Sequence, residues 1–294
     1  MAPLFYYYCL PLLLLFALME GWHSWKERKE LFSTRDTTSN IIIGISLGLF
    51  NIFSRFLLFA TLSWVYQYRF FTLPHSVWTM VLVFLLTDFT YYWYHRICHE
   101  VNWFWASHVV HHSSEHINIT IAFRQSITSG ITGHNLFWIW MALVGFHPFQ
   151  VALALQICVF YQSFLHTETI RTLPRWFEFL FNTPSHHRVH HASNPEYLDK
   201  NHGGMLIIWD RLFGTFCAEK EKPVYGLTTP LHSTNPVQII FHGWKDLLTQ
   251  AFQCRNLLQG ISCLFKAPGW SANGHTLTVK QMRKREKIQE PVGA

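Results

Sequence analysis

Long apolar runs separated by short polar and basic stretches set the pattern of this chain. A helix needs about 20 mostly apolar residues to cross a bilayer. Residues 3–20 supply one such run, 41–66 (IIIGISLGLFNIFSRFLLFATLSWVY) a second and 77–94 (VWTMVLVFLLTDFTYYWY) a third. A fourth run, 135–165, is too long for one crossing and is interrupted at Gly145–Phe146–His147–Pro148. Proline ends a helix at or before the preceding residue, so the run predicts a hairpin of two short helices, 135–146 and 149–165. The first run lacks a basic leader and an A-x-A cleavage site, and reads as a retained anchor rather than a removed signal peptide.

Basic residues orient these helices. Lys26, Arg28, Lys29 and Arg35 follow the first run, which places that loop in the cytoplasm by the positive-inside rule. The third helix then returns its C-terminal end to the cytoplasm, and everything from residue 166 onward is cytoplasmic too. The predicted fold class is therefore all-α: a polytopic membrane helical bundle with a cytoplasmic histidine-rich cap. Three regions follow: N-terminal transmembrane helices over 1–76, a histidine-rich membrane domain over 77–217, and a polar cytoplasmic C-terminal segment over 218–294 with a basic end, KQMRKREKIQE.

Composition agrees. Hydrophobic residues make up 50 % and charged residues only 14 %, whereas a soluble domain carries about 25 % charge. The net charge of +6 suits orientation in a membrane with anionic headgroups. The basic residues are scattered and no nucleic-acid-binding motif occurs, which excludes that class of partner. Six cysteines without a CxxC pair read as reduced thiols in a non-oxidising compartment.

Nineteen histidines are far more than such a chain requires. His95 and His99 end the third helix four residues apart and so share a face. His108, His111 and His112 repeat at i, i+3 and i+4, as do His187, His190 and His191. Neutral imidazoles crowded together are unfavourable to bury without partners, and protonated ones repel. A cation that accepts their lone pairs resolves both problems. Eight imidazoles suggest two metal ions, each with room for an open position. Imidazole suits zinc, copper, iron and nickel, so ligand type alone does not choose. A structural zinc site usually includes cysteine, and no HExxH protease motif occurs. A site beneath apolar helices is placed to act on a lipid chain, and attack on an unactivated C–H bond with dioxygen calls for redox metals, hence iron.

Three stretches carry a resemblance: HRICHEVNWFWASHVVHHSSEHINITIAFRQS, YQSFLHTETI, and FNTPSHHRVHHASNPEYLDKNHGGMLIIWDRLFGTF followed by YGLTTP. Over about residues 85–230 the chain resembles the fatty acid hydroxylase/sterol desaturase superfamily of membrane diiron enzymes, and within it the alkylglycerol monooxygenase group. The resemblance implies two iron ions and metal ligation, hence catalysis, by His95, His99, His108, His111, His112, His187, His190 and His191. It adds His166 as a further ligand, with Gln162 one turn earlier as a candidate to hold water or support a ligand. It associates Glu100 with a tetrahydrobiopterin cofactor, because a carboxylate accepts paired N–H bonds. Asp88 is expected to accept from a ligand N–H. His186 reads as a support or substrate-side residue, and Arg124, Gln125, Asp199 and Asn201 as polar scaffolding.

The implied reaction is hydroxylation next to the ether oxygen of an alkylglycerol lipid, giving a fatty aldehyde and a glycerol derivative. Its partners are a bilayer lipid, O2 and an external electron donor, either a reduced pterin or a redox protein. The location is a bacterial inner membrane or the endoplasmic reticulum. Rival readings are a sterol or fatty acyl hydroxylase or desaturase with the same site, and a non-enzymatic zinc-binding or zinc-transport protein.

Overall fold

A computed structural model describes residues 9–272 and 274–289, and among them the regular elements are helical. Two isolated antiparallel bridges, Phe181 with Leu206 and Ala192 with Tyr225, tie loops together. Helix α1 spans Leu10–Lys26; residues 3–8 of the first apolar run lie outside the described residues. Helix α2, Thr34–Tyr66, has 33 residues. At 1.5 Å per residue it is about 50 Å long, more than the roughly 30 Å of a bilayer's hydrocarbon core. Among the described residues it is the one helix long and apolar enough to cross a membrane. Its side chains point outward as lipid-facing ones do: Leu49, Phe53 and Phe56 are 71 %, 67 % and 69 % exposed.

Helix α3, Val77–Glu100, is started by Ser76, whose hydroxyl accepts from the Thr79 N–H at 3.1 Å. It runs six residues beyond the apolar stretch, and that extension carries the first histidine box. Helix α4, Asn102–His112, follows after one extended residue. Short 3₁₀ turns at Ile119–Phe123, Ile127–Gly130 and His134–Trp138 lead into α5, Ile139–Val144. Gly145 then adopts φ 124°, with no room for a side chain beside the Phe71 carbonyl. Helix α6 begins at Pro148 and ends at Ser163. The hairpin break thus falls where Gly145 and Pro148 predict it, but its first arm is partly 3₁₀ rather than wholly α. Side chains of α2, α3, α5 and α6 meet in one core around Leu62, Val83, Trp138, Met141, Phe146 and Val151.

The remaining helices are α7 (Arg175–Leu180), α8 (Pro184–His190), α9 (Ile208–Phe213), α10 (Pro236–Phe252), α11 (Leu257–Phe265) and α12 (Val279–Gln289). The C-terminal region is more than a polar tail. Helix α10 packs along α4, and the crossing is centred on Gly243: a Cβ there would stand 2.5 Å from the Ala106 carbonyl oxygen and 2.6 Å from Val109 Cγ1. Beside it Trp244 packs edge-on to Trp103 at 5.0 Å and donates to the Thr128 hydroxyl at 2.7 Å. From the basic α12, Arg283 donates to the backbone carbonyls of Pro195 and Leu198. All six cysteines are free thiols.

Replacing Gly243 by alanine forces α10 away from α4. Overpacking of this kind costs about 1–3 kcal/mol, so G243A is expected to unfold at a lower temperature in a detergent melt. An unchanged melting temperature would mean that the two helices can separate freely.

Candidate metal centre

The three histidine boxes occupy the C-terminal end of α3, the C-terminal half of α4, and α8. The nine histidines named from the sequence as ligands all come together in the interior, in two groups. Candidate ligand nitrogens of His95, His99, His108, His112 and His190 lie within 4.8 Å of one another, as do those of His111, His166, His187 and His191. Helix geometry explains this division. Residues at i and i+4 lie about 40° apart around a helix, so each such pair stays together: 95 with 99, 108 with 112, and 187 with 191. Residue i+3 lies on the other side of residue i, about 100° from i+4. His111 and His190 hold that position, and each joins the group to which its own box contributes least. The two groups touch where His112 stacks on His191 at 4.5 Å.

Within the groups, nitrogen faces nitrogen. Nε2 of His108 lies 3.0 Å from that of His95 and 3.2 Å from that of His112. Nε2 of His166 lies 3.1 Å from that of His111 and 2.9 Å from that of His187, which is in turn 3.1 Å from that of His191. Contacts to carbonyl groups settle several tautomers. Nδ1–H of His95 donates to the His202 carbonyl at 2.9 Å, that of His190 to the Lys200 carbonyl at 2.9 Å, and that of His166 to the Ser163 carbonyl at 3.4 Å. Each then carries a lone pair on Nε2. For His166 that single lone pair faces two other nitrogens, while Nε2 of His99 and of His190 has no hydrogen-bond partner. Imidazoles bound to one cation at about 2.0–2.1 Å stand roughly 3 Å apart. The donor set and its spacing fit transition-metal ions.

A second layer holds the rings. The loop after α8 supplies acceptors to three of the five histidines in the larger group: the Asp199 carboxylate lies 3.5 Å from His99 Nδ1, and the carbonyls of Lys200 and His202 take His190 and His95. To do so it places Asp199 and Asn201 at φ 50° and 56°, the left-handed region. Asn201 locks this turn by donating to the carbonyls of His186 (3.0 Å) and Cys217 (2.7 Å) and accepting from Cys217 N–H (2.8 Å). Asp210 accepts from the backbone N–H groups of His202 and Gly203, both at 2.7 Å. Just after the Ile119–Phe123 turn, the fully buried Arg124 donates to the Val110 carbonyl of α4 at 3.1 Å, and to Asp36 and Asn40 of α2 at 2.9 Å each. Arg188, inside the third box, pairs with Glu219 at 2.6 Å and donates to the Thr167 carbonyl beside His166. Glu20 of α1, also buried, accepts from the Thr167 hydroxyl and from Ile119 N–H at 2.8 Å.

Other expected residues are placed less centrally. Glu100 is exposed and bridges to Arg96 at 2.8 Å on the outer face of α3. Asp88 does not support a ligand. It accepts from the backbone N–H groups of Met205 (2.6 Å) and Leu206 (3.1 Å) and from Trp209 Nε1 (2.9 Å). It sits close to two turns below His95, too far down the helix to reach a box ring, and fastens the glycine loop instead. Gln162 turns its amide to the Cys158 carbonyl at 3.2 Å. His186 lies outside both groups, against Phe216. Gln125 does reach the site, with its amide 3.1 Å from His111 Nδ1. Residues not singled out from the sequence are Glu20, Asp36, Asp210 and His202. The available signal was charge in apolar surroundings for Glu20, and for His202 its position inside the DKNHGG word.

Burial first, and neighbouring imidazoles second, push His108, His112, His187, His190 and His191 well below the ordinary histidine value. Burial first, with a smaller contribution from His95, takes His166 down to about 4 against the raising effect of its backbone hydrogen bonds. These rings stay neutral at physiological pH, which leaves their lone pairs available to a cation.

A buried helical frame that presents two groups of imidazoles defines a histidine-box protein, and comparison with known sequences agrees. Residues 80–215 match the model of the fatty acid hydroxylase family. The chain is 43 % identical to the alkylglycerol monooxygenase of Homo sapiens over 239 residues, covering 80 % of this chain and 53 % of that protein. It is 37 % identical to the alkylglycerol monooxygenase of Xenopus tropicalis over 277 residues, 92 % of this chain and 61 % of that one. A more distant relative is the ornithine lipid hydroxylase OlsE of Rhizobium tropici, 31 % identical over 139 residues, 47 % of this chain and 41 % of that protein. The chain thus spans about half the length of the alkylglycerol monooxygenases it matches. No solved structure matches it.

The lowered histidines give a signed pH dependence for the metal-free chain. Unfolding returns His166 from about 4 to its ordinary 6.5, so the unfolded state binds more protons between those values. Stability is therefore full above about pH 6.5 and falls as pH drops toward 4. Denaturant titrations of chelator-treated protein at pH 7.5 and pH 5 are expected to show the loss, and bound metal is expected to reduce it. Equal midpoints would rule out buried neutral imidazoles.

Proposed function

We propose that this chain is a lipid monooxygenase that holds two iron ions, and that its substrate is an alkylglycerol ether lipid hydroxylated next to the ether oxygen. The observation that supports this reading is the gathering of nine imidazoles into groups of five and four, in a chain similar to alkylglycerol monooxygenases. His95, His99, His108, His112 and His190 would hold one ion, and His111, His166, His187 and His191 the other. Bound iron supplies the dioxygen activation that an unactivated C–H bond requires. The chain supplies position. Carbonyls at 200 and 202 and the Asp199 carboxylate orient three rings, and burial of the boxes excludes water. In balance, the substrate C–H, O2, two electrons and two protons give C–OH and water. A hydroxyl beside an ether oxygen is a hemiacetal, which breaks its C–O bond to leave a fatty aldehyde and a glycerol derivative.

The electrons come from outside the chain, from a reduced pterin such as tetrahydrobiopterin or from a redox protein. Glu100, whose side chain is 48 % exposed, is the carboxylate proposed to meet the pterin's N–H groups. The multi-pass arrangement, its cytoplasmic orientation and the division at 76 and 217 belong to the same proposal. Exposed apolar side chains on α1 (Leu14, Leu18) and α3 (Trp78, Leu82) support further lipid contact, and Lys26, Arg28 and Lys29 between α1 and α2 support the orientation.

Purified protein is expected to contain about two irons per chain, to consume O2 with an alkylglycerol and a reduced pterin, and to release aldehyde. His111→Ala and His190→Ala, one from each group, should each lose iron and drop aldehyde release to background. Oxidation of sterols or acyl chains with alkylglycerols untouched would move the substrate elsewhere in the superfamily, and zinc without O2 uptake would end the monooxygenase reading.

A further inference from the structure

His202 is 0 % exposed, yet among the described residues neither of its ring nitrogens makes a well-aligned hydrogen bond, a weak contact with the Asp199 carbonyl being all that answers it. Its main chain, by contrast, is fully engaged: the N–H donates to Asp210 and the carbonyl accepts from His95 Nδ1. A neutral imidazole carries one donor and one acceptor, and burying both unanswered is unfavourable. An apolar side chain would occupy such a position without that cost.

The ring's surroundings explain what it faces. It covers the side of the larger group formed by His99, His95 and His190, with ring centroids at 5.0, 5.8 and 5.8 Å. The three rings of that trio are themselves 4.4 to 5.3 Å apart. His99 and His190 also have unpartnered Nε2 atoms, so three buried histidines here share the same deficit. The remaining ring neighbour is Tyr92 at 6.3 Å, and its hydroxyl is turned away to Thr215 and Arg96. The loop that carries His202 cannot shift easily: a Cβ on Gly203 would meet the Leu206 carbonyl oxygen at 2.5 Å, and one on Gly204 would meet Asp88 Oδ1 at 2.8 Å. The main chain is therefore fixed, and side-chain rotation is the freedom left to the ring. His202 is not among the nitrogens that lie within 4.8 Å of one another, so ligation requires its ring to turn toward them.

We propose that His202 is a sixth imidazole ligand for the ion held by His95, His99, His108, His112 and His190. This rests on the two-ion reading above and deepens it: one ion gains six nitrogen donors while the other keeps four. The ion of the larger group is then saturated by the chain, and places for outside ligands belong to the group of His111, His166, His187 and His191.

Cobalt(II) is the probe, because its visible absorption is weak with six donors and stronger with five. Wild-type protein stripped of metal and loaded with cobalt is compared with His202→Phe, which fills the same space without a nitrogen. The expected result is a more intense cobalt band in the variant, and affinity for one of the two ions lowered about 10–100-fold in chelator competition, the range for loss of a supporting contact at a metal site. A merely structural role would lower the melting temperature of the metal-free chain and leave the cobalt band unchanged. Should the Phe variant fail to fold, His202→Gln decides by the same two measurements. Wild-type protein that takes up two ions beside a variant with identical spectrum and affinity overturns the role of His202 alone. Wild-type protein that takes up no cobalt and no iron overturns the two-ion reading together with it.

Discussion

Lone pairs pressed against one another in a dry interior repel unless something positive lies between them. The Nε2 atoms at the centre of this fold stand 2.9 to 3.2 Å apart, with tautomers fixed so that several lone pairs converge. Such an arrangement is costly for the chain alone and stable around a cation. It is the constraint that the rest of the structure serves. Two helix ends, one short helix and the turn after α6 bring the rings together, and the surrounding polar groups prevent them from turning away.

Those surrounding groups come from distant parts of the chain. Arg124 draws the end of α4 to α2 through Asp36 and Asn40, burying a charge that is tolerable only because it is paired and fully hydrogen-bonded. Glu20 reaches from α1 to the residue beside His166, and Arg188 ties the third box to Glu219. Helix α10 presses on the back of α4 through a glycine. The apolar helices and the C-terminal helices are thus part of one support, which explains why buried polar residues are so numerous in a chain with so little charge.

Much of this was legible in the sequence. Apolar runs located α2, α3 and the hairpin; Gly145 and Pro148 located its break; spacing alone singled out eight histidines, and the family words added His166. What spacing did not convey is how a box divides. His108, His111 and His112 read as one face, whereas 100° between adjacent residues sends His111 to a different group from its neighbour. Asp88 shares the stripe of the first box, but the stripe does not tell that a glycine loop from residues 203–206 closes over it. The turn at Asp199–Asn201 depends on left-handed backbone at two non-glycine residues; Asp and Asn tolerate it better than most, but that tolerance does not specify the conformation, which tertiary contacts secure. His202 was hidden for a related reason: a single histidine carries no periodicity, and its burial is a property of the folded loop.

The crossing-over of His111 and His190 has a mechanical consequence. Since α4 and α8 each contribute rings to both groups, neither helix can slide or rotate to open one without distorting the other. The two clusters behave as a single rigid body with a built-in separation. Flexibility needed for a substrate to enter must therefore come from elements that hold neither a ligand histidine nor its support, such as α5 and the His134–Trp138 turn before it, moving around an inflexible heart.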